Sequence, residues 1–150
     1  MKLKENAPAG TWLVKSEPET YSIESLAKDK KTFWNGVRNF QARNYLAEMR
    51  QGDTVIVYHS GKDKSVVGLA KVAKTAHPEP VVDAVKDAPK DKTGWLQVEL
   101  QYCETFANKV SLKEIKANKK LSQLLLIKQS RLSVMPITRL EFDELVRLAI

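Results

Sequence analysis

Cysteine occurs once in the 150 residues, at Cys103, and histidine twice, at His59 and His77. One thiol closes no disulfide within the chain, and these ligand types at these separations make no zinc spacing. No stretch approaches the ~20 apolar residues a membrane helix needs. The N-terminal MKLKENAPAG carries charge with no apolar run behind it, so neither a membrane partner nor a leader is expected. The phosphate loop G-x-x-x-x-G-K-[ST] is missing, although GKDKS at Gly61 to Ser65 superficially resembles it. No G-x-S-x-G elbow places a serine nucleophile. No repeat of solenoid length recurs, which excludes that architecture. The expectation is a cytoplasmic monomer, nuclear if its source is eukaryotic, with no metal or cofactor, and with Cys103 buried and inert.

What is present suits one core. The hydrophobic share is 43%, ordinary for a globular chain. The formal charge is +7 with a sequence pI near 9.5, which favours polyanionic partners, although scattered lysine is as often a solvated face. Arginine is more concentrated: Arg38, Arg43 and Arg50 fall in one short stretch.

That stretch, FWNGVRNFQARNYLAEMRQGD from Phe33 to Asp53, organises the rest. Asn35-Gly36 tolerates positive φ and predicts a turn. From Ala42 the residues Ala42, Tyr45, Leu46 and Met49 follow the spacing of a packed helix that Gly52 can close. Trp34 is thus displayed on a turn beside a helix start, with Arg38 and Arg43 near. An indole and guanidiniums suit a base and its phosphate. A lone Trp before a helix is also a common core anchor, and the residues alone favour that second reading.

In chain order, residues 1–10 read as a tail and 11–15 as a first strand that Ser16-Glu17-Pro18 ends. Lys15 and Glu17, two apart on one face, either pair on the surface or point into a mouth. A helix over 22–29 is capped by Ser22, and Lys28 to Lys31 reads as a solvated loop. Residues 54–60 and 65–74 form a hairpin, with Gly68 at a bulge or close approach. His59 and Ser60 end its first strand, His59 being a pocket or core histidine rather than a catalytic one. Pro78 to Lys92 reads as a loop across a site, and 94–106 as a long strand with Trp95 in the core or at a rim. Ser111 to Glu114 and Thr138 to Glu141 are capping boxes that open helices, the second with Phe142, Leu145, Val146 and Ala149 inward. Leu121 to Ile127 is a helical or turn-like patch, Lys116, Lys119 and Lys120 form a basic cluster, and 131–135 is the last strand.

WLVKSEP at Trp12 to Pro18, WNGVRNFQARNYL from Trp34, VYHS at Val57 to Ser60 and RLSVMPI at Arg131 to Ile137 together resemble the EVE domain family. They lie in the family's order from about residue 11 to the C-terminus. The resemblance implies an α+β, PUA-like fold, a small mixed β-barrel with flanking helices, similar in architecture to YTH domains. It implies binding of a modified base in DNA or RNA, and a pocket lined by the Lys15-Ser16-Glu17 segment. The chain departs from the family in four respects: Asn35 stands where Asp is usual, His77 and Glu79 replace an aromatic and an Asp, and a Tyr-Asp-Pro element often found there is missing.

The expected function is therefore a non-enzymatic nucleic-acid module, with ligand-binding residues Lys15, Ser16, Glu17, Trp34, Asn35, Gly36, Val37, Arg38, His59, Ser60 and Ser133. Arg38 and Arg43 are expected to meet phosphate. Two rivals are a small hydrolase of modified nucleosides, of the kind found in the related ASCH group, using Lys15 and Glu17, and a protein-interaction adaptor in which Trp34 is only structural.

Overall fold

Two runs with apolar residues on both faces, Thr11–Ser16 (β1) and Thr54–His59 (β3), lie side by side as a parallel pair. Leu13, Val14, Val55 and Ile56 are inaccessible to solvent, as expected where a sheet is covered on both faces. Parallel strands require a crossover. Here it consists of Ile23–Asp29 (α1), Lys31–Trp34 (β2) and Phe40–Glu48 (α2), the segment that carries the candidate site.

The computed structural model describes residues 10–80 and 93–150. Within them, Ser65–Pro78 (β4), Leu96–Ser111 (β5) and Val134–Pro136 (β6) complete a six-stranded mixed sheet of order β2-β5-β4-β3-β1-β6. β4 and β5 form a long antiparallel hairpin whose register shifts at four places. Each irregularity adds bend and twist. β5 pairs with β4 along one edge and with β2 along the other, so β2 forms one edge of the sheet.

Apart from Leu125–Lys128, whose start has no side-chain cap, the α-helices described begin at residues whose side chains cap them. Ser22 accepts the Ser25 N–H, and Asn39 accepts the Ala42 N–H. Full capping boxes at Ser111/Glu114 and Thr138/Glu141 open Leu112–Ala117 (α3) and Arg139–Ala149 (α5), with Leu125–Lys128 (α4) between them. Phe142, Leu145 and Ala149 are buried as their spacing predicts. The buried Asp53 ties the N-terminal ends of β1 and β3 together. Its carboxylate accepts the Gly10 N–H, the Trp12 Nε1–H and the Arg50 N–H, each at 2.9 Å.

Several expected boundaries shift. β2 occupies residues read as a solvated loop and a turn, because a four-residue strand with three partly or fully exposed positions carries little apolar pattern. β5 runs past Phe106 to Ser111, since its exposed half gains stability from ladder hydrogen bonds rather than burial. β6 starts at Val134, later than expected, and includes Pro136, which an edge strand tolerates. α2 ends at Glu48, while Gly52, at φ +90°, sits in a later turn and donates its N–H to Val72. Gly68 lies at a register shift as predicted. Cys103 is exposed on β5, not buried, because it falls where that strand faces solvent. The predicted tail, apart from Gly10, and the 81–92 part of the predicted loop lie outside the described residues. Among the described residues no helix is long and apolar enough to cross a membrane.

Candidate functional site

Trp34 closes β2, opposite Val98 of β5. The chain then turns through Asn35 and Gly36, whose φ of +78° bears out the predicted reversal. Val37 drops into the core. In front of this turn opens a cavity of about 480 Å³, lined by Lys15, Ser16, Glu17, Thr20, Tyr21, Thr32, Phe33, Trp34, Asn35 and Gly36. Trp34 is 8% exposed, so it serves as core anchor and pocket wall at once. The Tyr21 ring meets it edge-on, with centroids 6.2 Å apart and planes at 86°. This geometry fixes the indole plane.

The hydroxyl-bearing wall is built by the end of β1 and the turn after it. Ser16 Oγ donates to the Tyr21 carbonyl at 2.7 Å, holding Tyr21 in place and leaving its own oxygen able to accept from a ligand. Tyr21 Oη donates to Asp29 at 2.8 Å. Burial raises the Tyr21 pKa, with Asp29 adding to the rise against a lowering hydrogen bond with Thr32, so the phenol stays protonated. Lys15 does not pair with Glu17. Its Nζ donates to the Ser130 carbonyl at 2.7 Å and lies 5.9 Å from the Tyr58 ring centre, and burial lowers its pKa. Glu17 and Asn35 are both exposed and line the same cavity.

Glu79 holds the turn from behind. Its carboxylate accepts the Gly36 N–H at 2.8 Å and two Arg38 N–H groups at 2.8 and 3.1 Å. Burial alone raises the Glu79 pKa, but the Arg38 and Gly36 bonds and the Arg38 charge outweigh it and hold the carboxyl below its ordinary value. The Glu79 N–H in turn donates to the Trp95 carbonyl. Glu79 stands at one of the departures noted in the sequence, and it clamps the wall that displays Trp34.

Five expected ligand residues, Val37, Arg38, His59, Ser60 and Ser133, do not line the cavity. His59 is 2% exposed, its Nε2 accepting the Ile23 N–H at 3.0 Å and its Nδ1 facing Asp63 at 2.9 Å. The amide of Ile23 can only donate, so the imidazole carries its proton on Nδ1 and is a satisfied core group. Ser60 and Ser133 bind β1 through their backbones, Ser60 N–H to Ser16 and Lys15 N–H to Ser133, and neither lines the cavity. Val37 is likewise core. Arg43 is 4% exposed, bonded to Asn44 Oδ1 and stacked on Phe40, because it falls on the buried face of α2, so it is not placed to meet phosphate. Arg38 stays partly exposed beside the turn. Sequence reasoning missed Thr20, Tyr21, Thr32, Phe33 and the Glu79 clamp. The alternation of Thr32 and Trp34 marks one face of β2, but only once β2 is known to be a strand.

A cavity of this size with one aromatic wall, several hydroxyls, an amide and an ammonium close by can stack a planar heterocycle on that wall and hydrogen-bond its edge. Among the described residues no group of three His, Cys, Asp or Glu side chains is arranged to hold a metal ion.

The EVE domain pattern matches residues 10–148. Thymocyte nuclear protein 1 of Gallus gallus is 35% identical over 158 residues, 88% of this chain and 65% of that protein, so this chain spans about two thirds of its relative's length. A hypothetical protein from Leishmania major superposes with a TM-score of 0.86 at 35% identity, covering 95% of both chains. The human THYN1 protein, solved in complex with 5-methylcytosine-containing DNA, superposes at 0.85 with 32% identity, covering 94% of this chain and 98% of that one. An ASCH protein from Zymomonas mobilis, 13% identical with a TM-score of 0.54, shares the fold alone.

Proposed function

This chain belongs to the EVE domain family, and from that premise we propose that it is a non-enzymatic module that recognises a modified nucleobase in DNA or RNA. The observation that carries the reading is the Trp34-walled cavity, its indole set by Tyr21 and its turn held by Glu79. The base leaves its stack, or comes from a single strand, and lies against Trp34. Ser16 and Asn35 meet its edge, and Lys15 adds a donor. Arg38, shared with Glu79, faces the strand's phosphates. The complex of human THYN1 makes 5-methylcytosine in DNA the first ligand to test.

A methyl group fitted into a closed pocket is worth ~1–3 kcal/mol, and tenfold in affinity is about 1.4 kcal/mol. The test is a titration of matched oligonucleotides, single-stranded and duplex, DNA and RNA, carrying cytosine, 5-methylcytosine or N6-methyladenine, at two salt concentrations. A preference near tenfold that survives added salt supports a base reader. Equal, salt-sensitive binding to every strand leaves only charge as its cause.

One observation favours the hydrolase reading: burial lowers the Lys15 pKa, as a general base requires. Against it, Lys15 Nζ is engaged with the Ser130 carbonyl rather than with a carboxylate. Turnover of free modified nucleosides by the wild type, lost in Lys15→Ala, would decide for that reading.

A further inference from the structure

Beside the pocket, the surface at the start of α2 holds a feature that the proposed recognition does not use. Phe40 is 49% exposed. Its ring stacks on Trp95, with centroids 5.3 Å apart and planes inclined by 19°. The Arg43 guanidinium lies 4.9 Å from the Phe40 centre and 6.0 Å from that of Trp95, while Arg38 lies 5.1 Å from Trp95. Seen from the Phe40 ring, these distances set Trp95 and Arg43 less than a right angle apart, so both support the ring from one side. The support is rigid, because Arg43 is buried and bonded to Asn44 and to the Gly94 carbonyl.

We infer that Phe40, backed by Trp95 and Arg43, is a second stacking site that takes the nucleobase next to the one held in the pocket. The inference rests on the base-reading proposal for that pocket. Phe40 lies four positions after Gly36 at the pocket, a span of at most ~14 Å, short enough for one strand to reach both. A preordered pair of nearly parallel rings gains by adding a third planar ring. The partly exposed Arg38 guanidinium beside the Trp95 ring suits a polyanionic carrier, whereas the centre of a protein interface is depleted of charge. The site makes no demand on base identity, since every base offers a π-face.

The test uses short single strands with one 5-methylcytosine, the nucleotide on either side intact or replaced by an abasic spacer, together with the free nucleoside 5-methyldeoxycytidine. These are titrated against wild type, Phe40→Leu and Phe40→Tyr, with thermal melting to confirm folding. Phe40→Leu should bind intact strands about tenfold more weakly, bind the nucleoside unchanged, and lose little more when the flanking base is removed. Phe40→Tyr should bind as wild type does. Wild-type affinity for intact strands in Phe40→Leu, or an equal loss with the nucleoside, overturns the inference. If the wild type shows no preference for the modified base, the pocket proposal fails. The same comparison on unmodified strands then decides the stacking site alone, a Phe40-dependent gain from the flanking base supporting it and no such gain overturning it.

Discussion

Replacing Glu79 by Gln keeps the size of the side chain and removes its charge from the clamp behind the pocket. The carboxylate accepts one backbone N–H and two Arg38 N–H groups at 2.8 to 3.1 Å. Hydrogen bonds to charged groups contribute ~1.5–3 kcal/mol each when sheltered. The Glu79 side chain is 14% exposed, but Arg38 is 36% exposed, and solvent screens that half of the interaction toward the surface range. A net loss of about 1–2 kcal/mol at pH 7 follows for Glu79→Gln. The folded-state pKa lies below the ordinary 4.5, so this stabilisation is fully present above that value and fades as pH falls through the lower folded-state value. Urea denaturation of both proteins at pH 7 and near pH 3 measures it. The gap between them should narrow in acid as the wild type loses its advantage. An equal gap at both pH values would show that the carboxylate charge is not what holds the turn.

Three further outcomes follow from buried groups. Asp53→Ala leaves the Gly10, Trp12 and Arg50 donors without their acceptor and should cost about 3 kcal/mol or more, read by chemical denaturation; a change below 1 kcal/mol (about fivefold in the equilibrium) would contradict that geometry. Gly68→Ala puts a Cβ 2.5 Å from Ile23 Cδ1 and 2.7 Å from the Glu104 carbonyl oxygen, so overpacking of about 1–3 kcal/mol should lower the melting temperature. Arg43→Lys should reduce stability by about 1–2 kcal/mol through lost stacking and bidentate bonding, while the salt dependence of nucleic-acid binding stays as in wild type; a shallower salt slope would return Arg43 to phosphate contact.

Much of this architecture was legible because local signals agreed with burial. The apolar runs of β1 and β3, both capping boxes and the positive-φ turn at Gly36 lie where sequence placed them. Two short edge strands were harder: β2 was missed and β6 misplaced, since pairing with a neighbour, rather than their own pattern, creates them. In the candidate site, Lys15, Ser16, Glu17, Trp34, Asn35 and Gly36 gather as expected, because they sit at the end of β1 and in the turn beside it. His59 and Arg43 misled for the same reason. A polar residue in a strand or helix reads as available until its burial and partners are known, and both spend their polar groups inside the fold. Tyr21 and Glu79 reach the site only through tertiary contacts, which no local pattern encodes.

The central claim is that Trp34 reads the base. Its most direct test measures the affinity ratio between 5-methylcytosine and cytosine strands for wild type, Trp34→Phe and Trp34→Leu, with each variant first confirmed as folded by thermal melting. The account predicts a ratio near tenfold in wild type, largely kept by Phe and lost by Leu, while the salt-sensitive background binding remains in all three. A folded Trp34→Leu protein that keeps the wild-type ratio would contradict it, leaving Trp34 as a core residue alone.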